Sequence, residues 1–481
     1  MFSFMAPLVM LLWPVAAAIL FRMWPVKQAV IWMVMIPFMA LPSGFGFNPP
    51  GLPPLDRSTL PALVLLVLLF VHHRKTKFSP VPDNMFILSI LFVYLVSPLF
   101  TSLTNGDSLE YADRTIGAIS LFDGLSAAAI IGLRLVIFVA GYQYFKTEED
   151  NRILLFGLVI AGLIYTIPTL FEVRMAPVLH SHVFGYFQHS FFQHIRGFGF
   201  RPVVFLPHGL WLAFFIAVTL CAAVAYSRIY AKEQPESGGL HALFAQYRIG
   251  VIIYITAVLV LCNSLASLIY GLFFLAAGLL FRPSTQVKIA SVLCLIAITY
   301  PATRALDIFP HEQIVALASK IDVERASSVK LRFDHEGAIL EKALERPLFG
   351  WGGWGRYRVV DEYTGQDRSI SDGYWVIIFG SHGAMQYLAF YLLMSSGIIV
   401  LAFFRKREVG FATGALCLIL SVNMIELLPN STIPEFTWLI AGSIAGLAFS
   451  KANAEAPKRR EKADAGAIAA SPATPGRRTI L

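Results

Sequence analysis

Thirteen apolar runs, most of them close to membrane length, constrain this 481-residue chain more than any motif does. They lie near 6–21, 26–41, 59–72, 84–103, 125–145, 153–171, 203–227, 249–263, 265–281, 286–301, 374–403, 411–428 and 433–450. A helix satisfies its own backbone in hydrocarbon and needs roughly 20 apolar residues to cross it, whereas strands of a membrane barrel would alternate apolar and polar residues. These runs do not alternate, so helices are expected. With 57% hydrophobic and only 14% charged residues, against about 25% charged in soluble domains, the chain has too little polar surface for a water-facing enzyme. The expected fold is an all-α integral membrane protein with about 12–13 transmembrane helices. The first run starts almost at Met1, without a charged leader or a clear small-residue cleavage site, and reads as a span rather than a removable signal.

The net charge of +8 comes from short basic clusters between the runs, a pattern that membrane topology explains better than nucleic acid does. No nucleic-acid partner is expected. Arg22/Lys27, Arg74/Lys75/Lys77, Lys146/Arg152, Arg228/Lys232/Arg248, Arg282/Lys288 and Arg405/Lys406/Arg407 mark alternate connections as cytoplasmic. An odd number of spans then puts the N-terminus on the opposite side. Cys221, Cys262, Cys294 and Cys417 all fall inside apolar runs and read as small hydrophobes.

Four regions follow: an N-terminal transmembrane bundle (1–301), an extracytoplasmic, periplasmic loop (302–373), C-terminal transmembrane helices (374–450) and a disordered basic cytoplasmic tail (451–481). The loop holds 10 Lys+Arg and 12 Asp+Glu, about a third of all charged residues, so a water-facing site belongs there. Within it, Ser327 and Ser328 precede a helix-forming run, Val329 to Glu345, which Pro347 ends.

Arginines on the outer side run against the positive-inside bias; they include Arg57, Arg114, Arg174, Arg196, Arg201, Arg304, Arg332 and Arg346. Guanidinium binds phosphate bidentately, so an anionic lipid head group is one explanation. Local ion pairing is the other: Arg332 and Glu336 are four apart on one helix. Arg134, Asn423 and Glu426 lie within spans, where polar groups meet either a partner or a substrate. His180, His182, His189 and His194 suggest metal, but the stretch has no neighbouring carboxylates and its aromatics also suit an interfacial helix. The sequence therefore predicts no metal and no other cofactor.

Three segments carry a resemblance: Gly199 through Gly209, Arg332 through Gly352 with its Arg346-Pro347-Leu348-Phe349-Gly350-Trp351-Gly352 turn, and Ser371-Asp372-Gly373. Together the chain resembles the O-antigen ligase and O-antigen polymerase superfamily. Asp372-Gly373 stands where the ligases carry His-Asn or His-Ser, followed by nine intervening residues and a glycine, here Gly383; Gln386 replaces a later glycine. That departure leaves polymerisation and ligation both open. The resemblance implies a GT-C-like helical core in a bacterial inner membrane and an active site facing the periplasm. It also implies a glycosyltransferase whose donor is a polyprenyl-pyrophosphate-linked glycan. The acceptor would be a glycan or lipid, among membrane lipids and proteins of envelope polysaccharide assembly.

Chemistry then assigns roles. Departing pyrophosphate gathers negative charge, which Arg201 and Arg332 would neutralise, with Arg196, Arg304 and Arg346 as further substrate-binding candidates. Asp372 would take the acceptor hydroxyl proton; its alternative role is a helix cap. His208 would contact the acceptor or cap a helix, and Trp351 and Trp354 would stack on sugars or anchor at the membrane interface. A transporter or flippase of lipid-linked glycan is the competing class. Such proteins often carry internal repeats, and no clear repeat is evident here.

Overall fold

The computed structural model describes residues 3–449 apart from 113, 197–198, 232–238, 321–322 and 405–408; the proposed tail, 451–481, lies outside the described residues. Its helices are α1 Met5–Met23, α2 Val26–Ala40, α3 Thr59–Val71, α4 His73–Thr76, α5 Met85–Leu103, α6 Leu121–Tyr144, α7 Glu148–Met175 and α8 Leu179–Phe184. After these come α9 Gly209–Tyr230, α10 Gly239–Leu261, α11 Leu265–Leu280, α12 Pro283–Ala305, α13 His311–Ser319, α14 Val323–Glu345, α15 Tyr374–Ile399, α16 Phe411–Glu426 and α17 Glu435–Phe449. The described strands form three small antiparallel hairpins: β1 Gly46–Phe47 with β2 Leu55–Asp56, β3 Leu109–Tyr111 with β4 Arg114–Ile116, and β5 Ile195–Arg196 with β6 Gly199–Phe200.

Every one of the thirteen apolar runs forms a helix, and among the described residues eight helices are long and apolar enough to cross a membrane: α1, α5, α6, α7, α9, α10, α12 and α15 with its extension to Phe404. The protein is therefore a multi-pass helical membrane protein. The other five, α2, α3, α11, α16 and α17, have only 13 to 16 residues. At about 1.5 Å per residue they reach roughly 20–24 Å, short of the ~30 Å hydrocarbon layer. Proline sets several of these limits: α2 runs between Pro25 and Pro42, and Pro434 precedes α17. An apolar run also continues beyond its helix, as at 203–208, where Val203, Val204 and Leu206 are buried in a loop before α9 begins.

Burial separates the layers. α16 and α17 are enclosed on nearly every side, and α9 is almost wholly buried, whereas α1 and α10 expose most of their apolar surface. Exposed Leu11, Phe92, Ile167 and Leu272 are what a lipid-facing perimeter requires. α17 meets α6 at backbone distance: a Cβ on Gly442 would lie 2.0 Å from the Phe138 carbonyl oxygen, and one on Gly446 2.4 Å from that of Tyr142. This Gly-x-x-x-Gly spacing lets dispersion act between the helix backbones.

The connections sort to opposite ends. At one end Lys27 pairs with Asp150, Lys75 donates to Phe21 O (2.7 Å) and Trp24 O (2.9 Å), and Glu148 accepts the Ala412 N–H at 2.9 Å. At the other end the hydrophilic segment 302–373 packs beside the β3–β4 hairpin, and the Ser3 N–H reaches Phe184 O at 2.9 Å, so the start of α1 lies with the loops that precede α9. α14 starts before the expected Val329 and turns Glu336, Ile339, Leu340 and Ala343 inward, one apolar stripe with a carboxyl in it. Downstream, the Pro347–Gly352 turn latches onto α15. Trp351 and Gly352 donate to Gly380 O and Ser381 O, while Ala384 and Met385 donate to Pro347 O and Leu348 O. Gly383 permits this with φ +71° and no Cβ, which would lie 2.4 Å from the Leu348 carbonyl.

Candidate functional site

The segment from His194 to His208 is shaped by backbone bonds to a buried acid. In the β5–β6 hairpin the Arg201 N–H donates to His194 O at 2.8 Å, which sets these two residues side by side. Glu172, near the end of α7, then accepts three N–H groups: Leu179 (2.9 Å), Val203 (2.8 Å) and Val204 (2.7 Å). Val204 is held in the left-handed region at φ +55°. The chain bends and enters α9, where His208 is the N-cap, its Nδ1 accepting the Leu210 N–H at 3.0 Å. The capping role weighed for His208 is therefore real. Arg201 is 8% exposed and donates from Nη2 to Asn263 O at 3.1 Å. Its aliphatic stem lies against Gly209, where an added Cβ would sit 2.5 Å from Cγ and Cδ.

From the opposite side come Arg332 on α14 and Asp372 just before α15, joined by an Nε to Oδ2 contact of 3.4 Å. Both are nearly half exposed, so the pair contributes at most about 1 kcal/mol to stability. Such a pair can exchange partners. The expected Arg332–Glu336 pairing does not form. Glu336 is buried instead, accepting from Tyr300 OH and Trp375 Nε1, both at 3.1 Å, and its burial raises its pKa above the ordinary value. Nor is Asp372 the helix cap. Gly373 holds that position, and carbonyls of the α16–α17 loop take the first N–H groups of α15: Asn430 O at 3.0 Å from Tyr374 N and Leu427 O at 3.3 Å from Trp375 N.

Arg201, His208, Arg332 and Asp372 line one open cavity of about 580 Å³, together with His189 and Asn430. Asn430 is fixed by its Nδ2 donation to Glu426 (2.8 Å), which also accepts from Tyr270 (2.6 Å). Arg332 and Asp372 line a second, narrower cavity of about 170 Å³ too, and so form the wall between the two. Among the described residues the larger cavity is lined by two arginines and one carboxylate, a net positive site suited to an anion.

Other candidates lie elsewhere. Arg304 stacks over Phe333 at 5.2 Å, donates to Phe333 O at 3.1 Å and lines a different cavity. Arg346 bonds Thr104 O, Asn105 Oδ1 and Asp107, holding the Asp107 carboxyl below its usual pKa range, and covers Trp351 at 4.2 Å. Trp351 is buried with its indole N–H on Lys342 O at 2.8 Å, so it offers no face to a sugar. These three make packing and hydrogen-bond contacts within the fold and do not line the cavity that Arg201 and Arg332 share. Trp354 is 75% exposed and lines an apolar groove beside Gly352 and Gly353, away from the arginine cavity. Arg196 sits on β5, and its side chain is outside the described residues.

The histidines divide. His180 donates or accepts at both ring nitrogens within the fold, toward Tyr186 O (2.8 Å) and Ser43 N (3.3 Å), and His182 bonds Val178 O at 2.8 Å. His189 and His194 instead meet His208, with one ring nitrogen from each within 4.8 Å of the others. Sequence reading misses this trio because His208 lies across the hairpin, at the start of the next helix. It also misses Glu172, whose only signal is a lone carboxylate near a helix end.

No family model, curated protein or solved structure matches the chain. The class that fold and site define is a multi-pass helical membrane protein with a cationic cavity at the end bearing its hydrophilic segment.

Proposed function

We propose that the protein is a membrane glycosyltransferase that polymerises or ligates polyprenyl-pyrophosphate-linked oligosaccharide at the periplasmic face of a bacterial inner membrane. The observation that carries this reading is the convergence of Arg201, Arg332 and Asp372, from three distant segments, on one cavity. An acceptor hydroxyl oxygen attacks the anomeric carbon, the bond to the phosphate oxygen breaks, and polyprenyl pyrophosphate leaves with that electron pair. Arg201 and Arg332 stabilise the departing charge in a partly dry setting, and the Asp372 carboxylate takes the hydroxyl proton. Arg332 orients that carboxylate, and the loop carbonyls of Leu427 and Asn430 keep it from being spent on capping α15.

The test is purified protein in lipid vesicles with polyprenyl-pyrophosphate oligosaccharide, following glycan size and free polyprenyl pyrophosphate. A ladder with lipid release supports polymerisation; release only with a separate acceptor supports ligation. Glycan crossing the bilayer without release assigns the cavity to transport instead and overturns the reading.

A further inference from the structure

We propose that His189, His194 and His208 form a three-imidazole site for a divalent transition ion of the zinc class, on the wall of the Arg201 cavity. The inference stands apart from glycosyl transfer, because it concerns only what the three rings bind.

The rings come from three backbone settings: the loop after α8, the 3-10 turn Phe191–His194, and the N-cap of α9. Their centroids are 4.7 Å (His189 to His208), 4.8 Å (His194 to His208) and 5.8 Å (His189 to His194) apart. A tetrahedral zinc ion with Zn–N near 2.0–2.1 Å keeps its nitrogens about 3.4 Å apart. The ligand atoms here lie within 4.8 Å of one another, so the rings must draw closer; His189 is exposed and has room to rotate, while His194 is held in the interior. Imidazole donors without carboxylates select zinc, cobalt, nickel or copper rather than calcium or magnesium.

Three protein ligands leave a coordination position open, and His189 and His208 both line the cavity, so that position faces the space shared with Arg201. Water or an anionic oxygen would complete the shell. Two features oppose binding and are outweighed. Arg201 and Arg332 add positive charge nearby, which an anionic fourth ligand offsets. The His208 Nδ1 accepts the Leu210 N–H, so coordination through Nε2 moves a proton within the ring and gives up one capping bond. One such bond is small beside a three-ligand zinc interaction.

The experiment uses the full chain carrying a histidine-free affinity tag, stripped with chelator and titrated with Zn²⁺ and, separately, with Co²⁺. Expected are one ion per chain, the visible bands of a tetrahedral cobalt site, and three nitrogen neighbours at about 2.0–2.1 Å by X-ray absorption of the zinc form. His189→Ala, an exposed position, should weaken binding by at least about 10–100-fold, the loss expected from removing even a supporting group. His182→Ala on the same segment should bind as the parent does. The absorption spectrum of the unaltered protein decides the matter if a variant fails to fold. Absence of a stoichiometric ion, parental affinity in His189→Ala, or binding that disappears instead in a His72→Ala, His73→Ala variant overturns the proposal.

Discussion

Two arginine clusters sit at the same end of this protein, and they use the same side chain for opposite ends. Arg356 is completely buried, donating to Trp351 O (2.9 Å), Asp107 O (2.8 Å) and Gly117 O (2.8 Å), and its neighbour Arg346 is equally committed to the 104–107 loop. Arg332 has one half-exposed carboxylate across an open cavity, and Arg201 presents a cavity wall while bonding Asn263 O. The difference is the supply of carbonyl oxygens: where the chain folds several around a guanidinium it becomes a structural pin, and where it leaves space the charge remains available to a ligand.

That contrast can be broken experimentally. The largest effect is expected at the open cluster, where Arg201→Ala and Asp372→Asn should each reduce glycosyl transfer by about 10²–10³-fold, the half-exposed Asp372→Asn at unchanged melting temperature. Arg201→Lys should also lose most activity, since ammonium lacks the two-pronged geometry; parental rates in a steady-state assay would remove the clamp. At the closed cluster Arg356→Leu should instead cost stability, about 2–4 kcal/mol, because it strands three carbonyls and Asp107. A thermal unfolding midpoint in detergent that does not fall would contradict this assignment.

Gly209→Ala joins the two behaviours by shifting Arg201 without deleting it. The new methyl meets Arg201 Cγ and Cδ at 2.5 Å and Pro202 O at 2.9 Å, and a displacement near 1 Å can cost about 10²-fold in rate. Retained zinc or cobalt binding with lost transfer would show that only the arginine has moved. The smallest effect concerns pH. The Glu336 carboxyl is raised above its ordinary value of 4.5 by burial, so the folded protein binds its proton more tightly than the unfolded chain does. This contribution is full below pH 4.5 and is lost as pH rises through the folded pKa. Stability measured by denaturant should therefore rise, as pH falls toward 4.5, more in the parent than in Glu336→Gln; parallel profiles would discount the effect.

Helix positions were largely legible, because a run of apolar side chains in a chain with so few charges has only helices open to it. How long each helix runs was not, since prolines such as Pro25 and Pro434 cut helices short while apolar residues such as Val203 and Val204 continue into buried loops. The candidate site was partly legible. Arg201, Arg332, Asp372 and His208 were singled out from charge, side and resemblance, and they share a cavity. Arg304, Arg346 and Trp351 carry the same signals but lie outside that cavity, each engaged in contacts of its own.

The sequence by itself determined the solvent this protein folds in, the order of its helices and the end where its polar chemistry gathers, because those depend on the transfer of whole segments between water and hydrocarbon. Only the tertiary structure decided which charged groups stay available. That choice turns on single hydrogen bonds between segments far apart in the chain: Leu427 and Asn430 carbonyls that free Asp372, a Glu172 carboxylate that bends Val203 and Val204 toward α9, and a hairpin that brings His194 to His208.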